Sequence, residues 1–141
     1  MKHRVFIFFA VLILVACSRM DRGISAKITE LFDASNSAPI DLAQVGPPSW
    51  ERVCVLGPYV TNEAAEHILG FKWDVQRQSS IVVDDRINLV VFLKNEEVLA
   101  FTEHRRDKGD FLDLKPRCLA RTQAVLVRRA GADGLVQLVS E

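Results

Sequence analysis

The sequence predicts a small α+β domain, an antiparallel sheet of short strands with two short helices, preceded by a signal peptide and a tether. Three observations favour this class. Apolar segments of strand length are joined by short polar connections, two segments repeat apolar residues at helical spacing, and no strand–helix–strand alternation runs along the chain. The expected organisation is a signal peptide at residues 1–16, a tether at residues 17–23 and a single α+β domain at residues 24–141.

The N-terminal segment has the composition of an export signal. Lys2, His3 and Arg4 form a basic start, and residues 5–16 follow as an uninterrupted apolar run. A helix that crosses the hydrocarbon core of a bilayer needs about 20 apolar residues, and this run is shorter. The segment is therefore interpreted as a cleavable signal peptide and not as a permanent transmembrane helix.

The apolar run ends in the motif Leu14-Val15-Ala16-Cys17, which resembles the lipobox of bacterial lipoprotein precursors. The resemblance implies cleavage before Cys17, a diacylglycerol thioether on its thiol and an acyl chain such as palmitate on its amino group, which together make a stable membrane anchor. Ser18 follows the cysteine, and by resemblance to the enterobacterial sorting pattern it implies the outer membrane, facing the periplasm. The alternative is an ordinary signal peptide with Cys17 near the cleavage site by chance.

Removal of residues 1–16 would leave 125 residues with 16 basic and 18 acidic side chains. This length fits one domain, and the slightly negative charge excludes a typical nucleic-acid-binding protein. Cys54 and Cys118 lie in no metal-binding pattern such as Cys-x-x-Cys. An even pair of cysteines in an exported chain predicts a disulfide, and two separate buried thiols are the alternative.

The first elements of the mature chain are a tether and a helix. Residues 17–23 are polar and show no periodicity, which indicates a tether between lipid and domain. Apolar side chains then recur at helical spacing at Ile24, Ile28, Leu31 and Phe32. This spacing predicts one amphipathic helix, which ends in the small, polar stretch that follows.

A strand and a second helix come next. Residues 50–56 are rich in valine and end at Gly57-Pro58, which predicts a buried strand followed by a turn. Thr61 is a favourable N-cap for a short helix. Gly70 lies where a left-handed residue commonly ends such a helix.

Extended segments are predicted after this helix. Phe71, Trp73 and Val75 alternate with charged residues, which is the spacing of a half-buried strand. Residues 81–83 form a further apolar triplet closed by two aspartates. Both segments are therefore expected to be extended.

Two hairpins complete the domain. Residues 87–93 and 98–103 are apolar arms joined by a short polar connection, which predicts a β-hairpin. Residues 124–128 and 135–139 flank a turn that carries glycine and aspartate, and they predict a second hairpin.

Two motifs resemble segments of small, uncharacterised exported bacterial proteins. They are residues 50–59, WERVCVLGPY, and residues 69–74, LGFKWD. The similarity continues through residues 85–87 and the following hairpin to residues 109–111, so it covers roughly residues 50–111. The resemblance implies a compact domain and supplies no catalytic residue.

The sequence shows no catalytic constellation. No Gly-x-Ser-x-Gly motif or similar nucleophile pattern is present, so enzyme activity is not expected. Glu63 and His67 lie one turn apart on the predicted second helix, but a zinc site needs three or four ligands and spacing places no third. The sequence therefore predicts neither a metal nor a cofactor.

Four residues are candidates for partner binding. Arg105 and Arg106 lie in a basic loop at residues 104–108 that could bind a carboxylate or a phosphate, since arginine offers a planar fork of donors. Tyr59 and Trp73 could belong to an aromatic binding face. The alternatives are a solvated turn for the loop and a place in the core for the aromatic residues.

By elimination, the sequence favours an envelope-anchored lipoprotein whose domain is a protein-interaction or structural module. Its expected partners are the membrane, through lipid on Cys17, and another envelope protein. The alternative is a periplasmic carrier or sensor of a small ligand, with a pocket among Tyr59, Trp73 and Arg105. An enzyme is the third and least favoured interpretation.

Overall fold

A computed structural model describes residues 19–141, and the predicted signal peptide and lipidation site at Cys17 lie outside them. The described residues contain eight strands and three α-helices. In chain order these are β1 (Arg19–Met20), α1 (Arg22–Ala34), β2 (Ile40–Asp41), β3 (Arg52–Leu56), α2 (Asn62–Leu69), α3 (Val75–Gln78), β4 (Ile87–Lys94), β5 (Glu97–Arg105), β6 (Cys118–Ala120), β7 (Val125–Ala130) and β8 (Val136–Ser140).

The strands form two sheets. The larger sheet has the order β1-β5-β4-β3-β6, with β1 parallel to β5 and every other neighbouring pair antiparallel. The smaller sheet has the order β2-β7-β8 and is antiparallel. The predicted α+β class is confirmed.

The larger sheet is covered on both faces, which explains why β4 is apolar along almost its whole length. Val90 and Phe92 point towards α1 and the smaller sheet, where they join one apolar cluster. Leu89 and Val91 point the other way, into a second cluster with residues of α2 and α3. Because successive side chains of a strand alternate between faces, a strand buried on both faces has no polar period.

The predicted helices and hairpins are confirmed, with small differences at their ends. Ile24, Ile28 and Phe32 are the buried stripe of α1. The Thr61 hydroxyl accepts from the backbone N–H of Ala64 at the start of α2, and Gly70 ends that helix at φ 88°. The hairpins are β4–β5 and β7–β8.

Two sequence predictions are wrong. The segment with Phe71 and Trp73 is not a strand, because the Asp74 carboxylate accepts from the Arg77 backbone N–H and caps the short helix α3. Residues 81–83 form a turn and not an extended segment. The alternation of apolar residues here reflects side chains that pack against the sheet from an irregular loop.

The tether prediction is wrong for residues 19–23. Arg19 and Met20 pair with Ala100 and Phe101 of β5, and α1 begins at Arg22. The Asp21 carboxylate accepts from the backbone N–H of Gly23 and caps this helix. Residues 19–23 therefore belong to the folded domain.

Cys54 and Cys118 form the predicted disulfide across β3 and β6. Their Cα atoms lie 4.0 Å apart and 64 residues separate them in sequence. β6 is an edge strand of only three residues. The disulfide therefore attaches a short edge strand to the interior of the larger sheet.

Candidate functional site

A cleft of about 570 Å³ opens at the end of the β4–β5 hairpin that lies opposite its turn. Residues 84–87 line it at the start of β4, residues 105–107 line it at the end of β5, and Leu135 lines it before β8. Backbone pairing of Ile87 with Arg105 brings these segments together. We call this site the charged cleft, because three arginines and three aspartates line it.

Two ion pairs form the rim of the charged cleft. The Nε and Nη2 atoms of Arg86 each lie 2.9 Å from an oxygen of Asp84, and those of Arg105 lie 2.9 and 2.6 Å from the oxygens of Asp107. The hydrogen bonds from Arg86 lower the pKa of Asp84 to about 2, and those from Arg105 lower the pKa of Asp107. Both carboxylates are ionised near neutral pH, and both guanidinium groups are held in a fixed orientation.

Arg106 lies on the floor of the cleft, and its side chain is only 16% exposed. Its Nη2 atom is 2.7 Å from an oxygen of Asp110 and 3.1 Å from Asp133, and Nη1 donates to the carbonyl of Asp85. The interpretation of residues 104–108 as a solvated basic loop is therefore wrong for Arg106. The loop exposes Arg105 and uses Arg106 as a structural link.

The Asp110 carboxylate is fully buried beneath Arg106. It also accepts from the side-chain amides of Asn88 and Gln137, each at 2.9 Å. Burial by itself would raise the pKa of Asp110, but the hydrogen bonds from Arg106, Asn88 and Gln137 outweigh it and the pKa is lowered. A buried carboxylate with three side-chain donors is a stable anion, and it fixes Arg106 in the cleft.

A second buried polar contact joins α1 to β5 behind this network. His104 is fully buried, with Nδ1 3.0 Å from the Ser25 hydroxyl and Nε2 3.0 Å from the Lys108 carbonyl. Because a carbonyl only accepts, Nε2 carries the hydrogen and the Ser25 hydroxyl donates to Nδ1. Burial lowers the pKa of His104, which favours this neutral form.

A serine hydrogen-bonded to a histidine can be a nucleophile and its base, but the Ser25–His104 contact links α1 to β5. Ser25 does not line the charged cleft. The Phe111 ring packs edge-to-face on His104, with the ring centroids 5.8 Å apart. Ser25 and His104 are 79 residues apart in sequence, so no local sequence pattern predicts their contact.

Tyr59 lies on the surface of a neighbouring loop. The residue is 60% exposed and its φ is 63°, a left-handed conformation that is uncommon outside glycine. Its backbone N–H donates to the carbonyl of Ile81 over 2.8 Å, which joins this loop to the 81–83 turn. Val83 in that turn is 76% exposed, and Asp84 of the charged cleft follows it directly.

Trp73 lies elsewhere. It is half-buried, packs edge-to-face on Phe101 at 5.1 Å between ring centroids, and lines a separate cleft with residues of α2. Arg105 lines the charged cleft, and Tyr59 belongs to the lining of neither. The structure thus does not bring Tyr59, Trp73 and Arg105 into one pocket.

The described part of the chain contains no group of three metal-ligating side chains. Within residues 19–141, no helix is both long and apolar enough to span a bilayer. Comparison of the chain with protein-family models, with curated proteins and with solved structures finds no match.

Proposed function

We propose that this chain is a lipoprotein of the bacterial envelope, anchored through Cys17 on the outer membrane and facing the periplasm, whose domain binds another envelope protein. Support for the anchor comes from the lipobox-like motif at residues 14–17. Support for a binding domain comes from exposed residues on linked segments. Tyr59 lies on a loop hydrogen-bonded to the 81–83 turn, Val83 lies in that turn, and the two rim ion pairs belong to the charged cleft that begins at Asp84. We call these residues together the docking surface.

The main support for this proposal is the positive φ of Tyr59 together with its exposed side chain. A non-glycine residue at positive φ costs free energy, and such residues concentrate at functional sites. Here the strained backbone projects a large aromatic side chain into solvent instead of burying it. Tyrosine supplies much contact area with little loss of conformational entropy, which suits it to the centre of an interface.

The surroundings of Tyr59 match the anatomy of an interface. Val83 adds a second exposed apolar side chain on the turn that is hydrogen-bonded to the Tyr59 loop. Arg86 and Arg105 provide exposed guanidinium groups at the charged cleft, which begins at Asp84 directly after Val83, and each is held by an aspartate. An apolar centre with arginines at its rim is typical of transient protein interfaces.

Site-specific photocrosslinking in cells tests the docking surface. A photoreactive phenylalanine analogue replaces Tyr59 in the full-length chain, and the same analogue at Glu96, in the β4–β5 turn, is the control. We expect a discrete protein adduct from position 59 and none from position 96. The adduct should weaken at least several-fold when Val83→Ser and Arg105→Ala are added. Equal labelling from both positions would contradict the proposed interface.

Mass spectrometry of the mature N-terminus tests the anchor. We expect a diacylated or triacylated Cys17 as the first residue, and Cys17→Ser should leave an unprocessed precursor that no longer partitions with detergent as the mature protein does. An unmodified N-terminus at Ser18 or later in the wild type would show that Cys17 carries no lipid.

A further inference from the structure

The position of β1 limits how far the domain can stand from a lipid anchor. β1 begins at Arg19, two residues after Cys17. Two residues span at most about 7 Å, which is similar to the thickness of the headgroup layer on one side of a bilayer, about 5–7 Å. If Cys17 is lipidated as proposed above, the surface around Arg19 must therefore lie at the headgroups.

The parallel pairing of β1 with β5 then sets a direction within the domain. Arg19 lies beside Ala100 of β5, and this strand runs from there to Arg105 at the charged cleft. Five residues of extended strand cover about 17 Å. The cleft is thus separated from the anchor by most of the length of the larger sheet.

Helix α1 runs in the same direction, from the neighbourhood of Arg19 towards the charged cleft. Its N-terminal end lies beside Ala100, since Gly23 and Ile24 line one groove with that residue. Near its C-terminal end, Asp33 forms an ion pair with Lys108, just beyond the cleft segment, at 3.2 Å. A helix of 13 residues is about 20 Å long, which agrees with the separation along β5.

The exposed charges near the anchor suit a phosphate-rich surface. Arg19 and Arg22 are both exposed and follow Cys17 closely. Asp21 lies between them, but its carboxylate is engaged as the cap of α1. Basic side chains beside a membrane anchor are attracted to anionic headgroups.

We infer that Arg19 and Arg22 contact lipid phosphate groups beside the anchored Cys17. The part of the domain around β1 then faces the bilayer, and the charged cleft faces away from it. The inference rests on the proposed lipidation and adds an orientation to it. It places the docking surface where a periplasmic protein can reach it.

Fluorescence quenching in vesicles tests this orientation. The full-length lipoprotein is reconstituted into vesicles of phosphatidylethanolamine and phosphatidylglycerol that contain a lipid with a quencher on its headgroup. A fluorophore is attached either at Gln44→Cys, beside the anchor end of α1, or at Ala132→Cys, in the turn next to Asp133. We expect quenching several-fold stronger at position 44 than at position 132.

Charge variants test the phosphate contacts. Arg19→Gln with Arg22→Gln should reduce the difference in quenching between the two positions at least twofold. Lys72→Gln with Arg77→Gln removes the same charge from the exposed surface near α3 and should leave the difference unchanged. A difference equally insensitive to both double variants would overturn the role of the arginines.

Mass spectrometry of each reconstituted sample separates the two possible failures. Equal quenching at positions 44 and 132 on protein with lipidated Cys17 would overturn the orientation and leave the lipoprotein proposal intact. A chain without lipid on Cys17 would overturn the lipoprotein proposal and the orientation with it.

Discussion

The guanidinium of Arg106 lies 2.7 Å from the carboxylate of Asp110, which is fully buried, while 16% of the arginine side chain reaches solvent. This pair connects the surface of the charged cleft to the interior. Asp110 also pairs through its backbone with Gln137 of β8, in a parallel bridge. Because Asp110 also accepts from the Asn88 side chain of β4, it links the two sheets to the floor of the cleft.

The first prediction contrasts the two adjacent arginines. Arg106→Ala should lower the free energy of unfolding by about 3 kcal/mol, because it leaves the Asp110 carboxylate buried with one donor fewer. Arg105→Ala should lower it by less than about 0.5 kcal/mol, because its pair with Asp107 is exposed. Urea denaturation of both variants measures the difference, and similar losses would contradict the assignment of Arg106 to a structural network.

The sequence predicts the elements whose signals are local. The spacing of Ile24, Ile28 and Phe32 defines α1, and Thr61 and Gly70 define the ends of α2. These patterns suffice because a helix is specified by side chains within a few turns of one another.

The charged cleft could not be predicted in the same way. Arg106 has the sequence context of a solvated turn, but its partner Asp110 is buried and accepts from Asn88 and Gln137, which lie 22 and 27 residues away in sequence. Only the packing of the two sheets brings these side chains together. One missed signal was local, since Asp74 before a polar segment is a favourable N-cap for α3.

The second prediction concerns acid sensitivity through His104. Burial lowers the pKa of His104, and it outweighs the opposing effects of the Lys108 carbonyl and of Asp107 and Asp110. The unfolded chain therefore binds the proton more readily, so stability is fully present above the ordinary histidine pKa of about 6.5 and is lost as pH falls towards the lowered folded value.

Urea midpoints at pH 7.5 and 5.5 measure this effect. We expect the wild type to lose stability over this interval and His104→Gln to lose less, since glutamine can keep both hydrogen bonds but does not titrate. His67→Gln is the control, because His67 is exposed on α2. Asp110 does not contribute, since its lowered pKa keeps it ionised throughout the interval. Identical pH dependence in wild type and His104→Gln would refute the prediction.

The third prediction concerns the disulfide. Cys54→Ala with Cys118→Ala should lower the free energy of unfolding by about 4 kcal/mol, because the bridge closes a loop of 64 residues and restricts the unfolded chain. Folded domains have stabilities of about 5–15 kcal/mol, so thermal denaturation should give the variant a much lower melting temperature than the wild type. Alkylation of both thiols in the unreduced, folded wild type would contradict the bridge.

The fourth prediction compares two glycines with nearly equal backbone conformations. Gly46 has φ 83° and Gly134 has φ 81°, so replacement of either by alanine introduces the same left-handed strain, about 1 kcal/mol.

The surroundings of the two glycines differ. A Cβ atom on Gly46 would lie 2.6 Å from Cδ1 of Phe92, whereas one on Gly134 would meet nothing within 4 Å. Phe92 cannot easily move, because its ring is fully buried and packs edge-to-face on Trp50 at 5.1 Å between centroids. Gly46→Ala should therefore cost about 1–3 kcal/mol more than Gly134→Ala, the cost of overpacking a core. Denaturant midpoints of the two variants measure this difference directly, and equal losses would show that the Gly46 loop can move away from Phe92.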